Sequence, residues 1–126
     1  MVKEITTYQE FVAILGNEKS RLVVIDFWAQ WCGPCVRIGP IFIELEKKYP
    51  SVRFYKVNVD MPAISVIIST YNITAMPSFC FFLDGKFVEK IIGANVEKIE
   101  EAIRNNLPST KKKIDKIKTK LSAIIA

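Results

Sequence analysis

Apolar residues follow two different periods along this chain, one typical of helices and one of buried strands. Four segments repeat an apolar residue every three or four positions, which places these side chains on one helix face. The four helices are predicted to begin near Thr7, Cys35, Pro62 and Asn95. Short, almost continuously apolar segments indicate four strands, over residues 22–28, 52–59, 79–83 and 87–92.

Residues that start or stop elements agree with this division. Thr7 and Glu10 have the spacing of a capping box, and Gly16-Asn17 can end the first helix. Asp84-Gly85 indicates a tight hairpin between the last two strands. Helices between the earlier strands require right-handed crossovers, and the hairpin adds an antiparallel strand. The sequence therefore predicts an α/β domain with a mixed sheet over residues 1–107.

Pro108 separates this domain from a basic extension, residues 108–126. The 126-residue chain has a formal net charge of +5, yet residues 1–106 hold 12 Lys and Arg and 12 Asp and Glu. Residues 107–126 hold six Lys and one Asp. A neutral body with a basic tail argues against a nucleic-acid-binding domain, whose basic residues would stripe the fold itself.

The extension is predicted to be an amphipathic helix. Ile114, Ile117, Leu121 and Ile124 repeat at helical spacing, and lysines flank this stripe on both sides. The stripe is too short for a stable coiled coil of its own. We favour a solvated appendage or a helix docked on the domain. Two alternatives stay open, namely contact with an anionic membrane or another acidic surface, and a specific protein partner.

Redox chemistry is predicted at Cys32-Gly33-Pro34-Cys35, between a buried strand and a helix. Pro34 suits the first helical turn, so the cysteines meet free backbone N–H groups and the positive end of the helix dipole. This environment stabilises a thiolate, and two cysteines three residues apart can attack a disulfide and then resolve the mixed disulfide. The first residues lack a signal-peptide core, so we expect a cytoplasmic protein, where such a pair is catalytic or binds metal.

Two other interpretations of the cysteine pair are weaker. A zinc site needs four Cys or His ligands, but the chain has no His and one further cysteine, Cys80, so zinc would require a dimer. Inert core cysteines are disfavoured because Gly33-Pro34 marks an exposed turn. We therefore expect no metal. Cys80 lies in an apolar strand, where we expect a buried, unreactive thiol.

The segment 27–35, FWAQWCGPC, resembles the active-site signature of the thioredoxin family. The resemblance covers about residues 1–107, and further residues of the family pattern are in register: Asp26, Pro40, Lys56, Asp60, Met76-Pro77, Gly85 and Gly93. It implies the thioredoxin fold, in which a central mixed five-stranded sheet is flanked by four helices. The extension over residues 108–126 lies outside this pattern.

The resemblance also implies roles for residues of the site. Cys32 would be the exposed attacking thiolate, and Cys35 the buried resolving thiol. Asp26 interrupts a buried strand, and burial without full pairing raises the pKa of a carboxyl group. Asp26 would help to deprotonate Cys35, with Lys56 nearby. The alternative is a buried Asp26–Lys56 pair with a purely structural role.

Other residues would shape the surface that meets a substrate. Pro77 matches the family's cis-proline, a peptide geometry that the sequence cannot itself show. Met76 would then offer its backbone groups to an extended substrate segment, as in strand addition. Trp31 would form part of the contact surface, and Gly93 would permit close approach of a partner's backbone. For Trp28 we favour packing beneath the site.

The dipeptide between the cysteines bears on the direction of electron flow. Oxidising relatives often carry His there, whereas Gly33-Pro34 in a chain without His favours a reductant. The resemblance implies a monomeric protein-disulfide reductase without metal or organic cofactor. It would be recharged by an NADPH-dependent thioredoxin reductase and act on clients such as peroxiredoxins. The alternative is a thioredoxin-fold interaction subunit of a larger assembly.

Overall fold

A computed structural model describes residues 2–125 of the chain, and one sheet forms its centre. The strands are β1 (Lys3–Glu4), β2 (Leu22–Trp28), β3 (Arg53–Asn58), β4 (Ser78–Leu83) and β5 (Lys86–Ile92). The helices are α1 (Tyr8–Asn17), α2 (Gly33–Lys48), α3 (Ser65–Thr70), α4 (Val96–Asn106) and α5 (Pro108–Ile125). The strand order is β1-β3-β2-β4-β5, which confirms the expected five-stranded sheet.

Strand pairing follows from how the strands are connected. β1 and β2 both run parallel to β3, whereas β4 runs antiparallel to β2 and to β5. The hairpin between β4 and β5 turns at Asp84 and Gly85, whose φ angles of 54° and 75° both lie in the left-handed region. A two-residue hairpin with this twist needs positive φ at both central positions, which is why the Asp-Gly pair predicted it correctly.

Alternation along β2 divides the core into two layers. Val23 and Ile25 belong to the cluster of apolar side chains that packs against α1 and α3. Leu22 and Val24 belong to the cluster that packs against α2 and α4. Because successive side chains of a strand point to opposite faces, Asp26 continues the second series and faces α2. The fold therefore sets a carboxyl group beneath the helix that begins at the cysteine motif.

The start of α1 is capped as predicted, with one change in the second half of the box. Thr7 Oγ1 accepts a hydrogen bond from the Glu10 backbone N–H at 3.1 Å. The Glu10 carboxylate accepts from the N–H of Thr6 at 2.8 Å, one residue before the expected partner. Both bonds fix the direction in which the chain enters α1.

The continuous third helix expected from Pro62 onward is wrong in its first turn. Pro62–Ile64 form a 3-10 turn, and α3 begins only at Ser65. Ile64 has φ −110° and ψ 12°, outside helical values, so the helix is interrupted there. The apolar stripe survives the interruption, since Ile64 and Ile67 are both fully buried.

The basic extension forms α5 and is exposed over most of its length. The chain leaves α4 at Leu107, whose ψ of 141° ends that helix. The last apolar side chains of α5 are open to solvent: Ile117 is 58% exposed, Leu121 51%, Ile124 79% and Ile125 82%. Ala126, the end of the predicted extension, lies outside the described residues. None of the helices described over residues 2–125 combines the length and the hydrophobicity of a membrane-spanning segment.

Truncation of one buried and one exposed isoleucine should distinguish the core from the exposed stripe by their effects on stability. Ile103 in α4 is fully buried, whereas Ile117 in α5 is 58% exposed. We expect Ile103→Ala to lower the free energy of unfolding by about 2–5 kcal/mol, because it leaves a cavity. Ile117→Ala is the matched control and should lower it by less than about 0.5 kcal/mol. Urea unfolding followed by circular dichroism measures both, and equal losses would mean that α5 is part of the core.

Candidate active site

The cysteine motif lies at the N-terminus of α2, and its two cysteines are joined by a disulfide. Cys32 is the N-cap residue, and the Cys35 backbone N–H points to Cys32 Sγ at 3.3 Å. Pro34 occupies the first turn, where its missing N–H costs no bond within the helix. The sulfur of Cys32 therefore meets a backbone donor and the positive end of the helix dipole. Both favour the thiolate once the disulfide is reduced.

The expected contrast in exposure between the two cysteines is wrong. Cys32 is 6% exposed and Cys35 is 3% exposed, so both are buried. Ala29 is buried beside them, and the partly buried side chains of Val59 and Met76 pack against the pair. The two residues therefore differ more in their neighbours than in their exposed fraction.

A cis peptide bond between Met76 and Pro77 faces the cysteines, the geometry that the resemblance implied. The Met76 carbonyl oxygen lies 3.6 Å from Cys32 Sγ. The Pro77 carbonyl oxygen accepts a hydrogen bond from the Gly93 N–H at 2.8 Å. Gly93 has a φ of +97°, which side chains disfavour, and open space lies where its Cβ would be. The structure thus brings Met76, Pro77 and Gly93 together beside Cys32.

Asp26 and Lys56 are neighbours because of the strand register. They are paired across the parallel strands β2 and β3. Asp26 is 4% exposed, and its Oδ1 has no hydrogen-bond partner among the described residues. Burial raises the pKa of Asp26 from 3.8 to about 7, and the positive charge of Lys56 opposes part of this rise. A carboxyl group with this pKa can accept or release a proton near neutrality.

A surface cleft of about 190 Å³ joins Asp26 to the second cysteine. A second cleft of about 340 Å³ reaches Asp26 and Lys56 from the side of Pro40 and Phe42. The first cleft is lined by Asp26, Trp28, Cys35, Val36, Gly39 and Lys56. Asp26 and Cys35 therefore share one space that is open to solvent, while the sulfur of Cys32 contacts Met76.

The two tryptophans have different environments. Trp31 is 67% exposed, and its Nε1–H donates to Asp60 Oδ2 at 2.8 Å. Trp28 packs against the cysteine pair, and its ring centroid lies 5.2 Å from Lys56 Nζ, within the range of a cation–π contact. The buried Nε1 of Trp28 has no hydrogen-bond partner among residues 2–125. Trp31 therefore presents its ring to the surface, and Trp28 lies beneath the site.

Comparison with known proteins identifies the family to which the chain belongs. The family model described as Thioredoxin matches residues 2–105. Thioredoxin-1 of Schizosaccharomyces pombe is 42% identical over 107 residues, which is 85% of this chain and 100% of that relative. The X-ray structure of Fasciola hepatica thioredoxin has a TM-score of 0.78 at 40% identity, covering 82% of this chain and 98% of that one. This chain belongs to the thioredoxin family.

Family membership confirms the resemblance and the α/β thioredoxin fold. With its disulfide-forming Cys32–Cys35 pair, this thioredoxin is a thiol–disulfide oxidoreductase of the protein-disulfide reductase class. Its substrates are, in general terms, proteins that contain disulfides. A further similar structure comes from work on thiol resolving in yeast mitochondrial 1-Cys peroxiredoxin via glutathione/thioredoxin systems. It has a TM-score of 0.76 at 36% identity and covers 82% of this chain and 94% of that one.

Some neighbours of the thioredoxin site were not assigned a role from the sequence. Asp60 holds Trp31 in place, and Asn58 Oδ1 in turn accepts the Asp60 backbone N–H at 3.0 Å. Ala29 and Val59 form part of the packing around the cysteines. No spacing rule joins residues so far apart in the chain. The one local signal is that Asn58 and Asp60 follow a predicted strand, where polar loop residues often carry function.

Cys80 lies apart from the redox pair. It is fully buried in β4 among the side chains that pack against α1 and α3. This is the face of the sheet opposite to Asp26 and α2. Burial raises the pKa of the Cys80 thiol to about 12, which Lys90 only partly opposes. A thiol with this pKa carries almost no thiolate at neutrality and is a poor nucleophile. The expectation of a buried thiol at this position is confirmed.

Stability of this thioredoxin should depend on pH through Asp26. The folded pKa of about 7 lies above the unfolded value of 3.8, so the folded state binds this proton more tightly. The free energy of unfolding should therefore fall as pH rises between these two values and stay low above them. At about 1.4 kcal/mol per pKa unit, the loss is about 4 kcal/mol at most.

Urea melts of wild type and Asp26→Asn between about pH 4 and pH 8 measure this dependence. The Asn variant should lack this pH dependence and be the more stable protein at neutral pH, because an amide carries no buried charge. Lys56→Met is the companion variant, and it should raise the pKa of Asp26 further because it removes the opposing charge. Equal stability of wild type and Asp26→Asn at neutral pH would mean that Lys56 compensates the carboxylate fully.

Proposed function

We propose that this thioredoxin reduces disulfides of cytoplasmic proteins, with Cys32 as the attacking thiol and Cys35 as the resolving thiol. The observation that carries this assignment is the different surroundings of two buried cysteines. Cys32 Sγ lies 3.6 Å from the Met76 carbonyl oxygen, and the preceding residue, Trp31, is exposed. Cys35 instead lines the cleft that contains Asp26. Each sulfur thus has the neighbours that its step requires.

The reaction transfers two electrons from the reduced Cys32–Cys35 pair to the substrate disulfide. The Cys32 thiolate attacks one sulfur of a substrate disulfide, forming a mixed disulfide and releasing the other substrate sulfur as a thiolate that takes up a proton. The Cys35 thiolate then attacks Cys32 Sγ and displaces the second substrate sulfur as a thiolate, which also takes up a proton. The substrate leaves as a dithiol, and Cys32–Cys35 is left as the disulfide found in this structure.

Asp26 supplies the proton acceptor for the second step in this proposal. Its pKa of about 7 makes the carboxylate available near neutrality, and water in the shared cleft can carry the proton from Cys35. Lys56 keeps part of the Asp26 population ionised because its positive charge opposes the effect of burial. A base on the Cys35 side would act at resolution rather than at the first attack.

Three exposed or backbone features would receive the substrate. Trp31 offers an exposed ring that Asp60 holds, which suits a flat contact beside Cys32. The Met76 backbone lies next to Cys32 Sγ, where an extended segment could pair with it as an added strand. Gly93, with open space at its Cβ position, allows a substrate backbone to come close.

Electrons would reach the disulfide from NADPH through a thioredoxin reductase, as membership of the family implies. Peroxiredoxins are suitable clients, since their catalytic cycle produces disulfides. The similar structure from the yeast peroxiredoxin system supports this client class by analogy only. Use of the chain as a non-catalytic subunit is the alternative, and insulin reduction by the isolated protein separates the two.

Replacing each cysteine should produce opposite outcomes. Cys32→Ser should abolish insulin reduction and form no adduct, because the attacking sulfur is gone. Cys35→Ser should accumulate a mixed disulfide at Cys32, because the resolving step is blocked. Cys80→Ser is the matched control and should keep wild-type turnover, since that thiol is fully buried. Mass spectrometry of each variant with a disulfide-containing substrate gives the answer, and adducts on Cys35 in Cys32→Ser would reverse the two roles.

The Cys32–Cys35 couple should be strongly reducing. The His-free Gly33-Pro34 dipeptide supplies no cation to stabilise the thiolate, so we expect a potential near the value of about −270 mV known for thioredoxin. Equilibration with a glutathione or lipoate buffer, followed by thiol trapping, measures this potential. A value near about −180 mV, as in protein disulfide isomerase, would contradict a reducing role.

A further inference from the structure

The helix α5 has an apolar stripe that the rest of the described chain does not cover. Ile117, Leu121, Ile124 and Ile125 are each more than half exposed, and Ile114 begins the stripe nearer the domain. At about 100° per residue these five side chains fall within an arc of about 100°. Exposed aliphatic side chains aligned in this way indicate a surface that binds a protein or a membrane.

Lysines border this stripe on both sides. On the helical wheel, Lys111 and Lys118 lie along one edge of the stripe, and Lys113 and Lys120 lie along the other. Two further lysines lie on the opposite face, and Asp115 is the one acidic residue of α5. Long lysine stems can lie along an apolar surface while their ammonium groups reach outward to anions.

These charges narrow the choice of occupant. A second copy of α5 would bring two strongly basic helices together, and like charges at the edges of a helix pair repel. The stripe from Ile114 to Ile125 is also only about 16 Å long at 1.5 Å per residue, less than the three or four heptads that a coiled coil needs. A flat anionic surface satisfies both edges at once and needs no groove that matches the stripe.

The helix α4 connects the neighbourhood of the active site to the start of α5. Just before α4, Gly93 bonds to Pro77 beside the active site. At the other end of α4, Asn106 donates to Glu89 in β5 at 2.8 Å. Because α4 is about 16 Å long and ends beside the middle of β5, α5 begins there and not next to Pro77.

We infer that α5 is a membrane-surface anchor that lies in the interface of an anionic bilayer. The stripe enters the headgroup region, and the four bordering lysines contact lipid phosphates and carboxylates. The domain itself carries balanced charge over residues 1–106, so the attraction comes from the extension. This property is independent of disulfide reduction, and no residue of α5 belongs to the candidate active site.

Co-sedimentation of the full chain with vesicles tests the inference. Vesicles of phosphatidylcholine with about 30% phosphatidylserine should bind the protein at about 50 mM salt, and about 500 mM salt should weaken binding at least tenfold. Vesicles of pure phosphatidylcholine should bind at least tenfold less, because they carry no net charge for the lysines to meet.

Two sets of variants distinguish charge from apolar insertion. Neutralising the bordering lysines should weaken partitioning by roughly fivefold per residue. The matched control removes as many exposed lysines from the domain and should keep wild-type partitioning. The tail set is Lys111→Gln, Lys113→Gln, Lys118→Gln and Lys120→Gln, and the control set is Lys19→Gln, Lys47→Gln, Lys86→Gln and Lys98→Gln.

For the apolar stripe, Ile117→Gln with Leu121→Gln should weaken partitioning at least tenfold. Val12→Gln with Val66→Gln is the control, because these two side chains have similar exposure but lie in the domain. All variants should reduce insulin at the wild-type rate and keep the wild-type circular dichroism spectrum, which excludes unfolding as the cause of lost binding.

Three outcomes would overturn the inference. One is no binding to phosphatidylserine vesicles at low salt. Another is binding that is weakened neither by the tail set of lysine substitutions nor by Ile117→Gln with Leu121→Gln. The third is an α5-dependent dimer in sedimentation velocity without vesicle binding, which would make a second copy the occupant of the stripe. Failure of insulin reduction would contradict the proposed function instead and would leave the vesicle result to stand alone.

Discussion

Burial of the Asp26 carboxyl group beneath the first turn of α2 is the constraint on which the site depends. Strand alternation alone would fill this position with an aliphatic side chain like Leu22 and Val24, which face the same layer. A carboxyl group there has one oxygen without a partner among the described residues, and its pKa rises to about 7. The surrounding core has to hold this group in place, because nothing adjacent satisfies it fully.

The helix N-terminus and the buried carboxyl act on different sulfurs. Cys32 is the N-cap residue, and its sulfur accepts the Cys35 backbone N–H at the positive end of the helix dipole. Both interactions favour a negative charge on that sulfur. Cys35 lies one turn further into the helix and shares a cleft with Asp26. The two cysteines therefore have different environments because the first turn of α2 packs over β2, which carries Asp26. Both cysteines are buried, and their electrostatic surroundings distinguish them.

The sequence predicted those parts of the fold that depend on neighbours in the chain. The Asp84-Gly85 turn, the Asn95 cap and the four long strands are local, and the structure contains all of them. β1 was not visible in the pattern because it has only two residues, and its pairing with β3 decides its existence. The break at Ile64 was missed because a helical stripe persists through a 3-10 turn.

For the site, local pattern and family resemblance contributed differently. The motif alone indicated thiol chemistry, while the roles of Pro77 and Met76 came only with the resemblance. Burial of Cys32 was missed because exposure depends on Val59 and Met76, which the chain brings there from other strands' ends. The contact of Asp60 with Trp31 is of the same kind, since a hydrogen bond across 29 positions leaves no periodic trace.

The net positive charge of the chain lies in the extension, and the domain carries none. Residues 1–106 carry no net charge, so the contacts at Trp31 and the Met76 backbone can govern recognition of a substrate. A basic helix that starts at the C-terminal end of α4 can then set location without changing those contacts. Held on a bilayer, the domain would meet disulfides of other surface-bound proteins at a raised effective concentration, and no new contact at the active site would be needed.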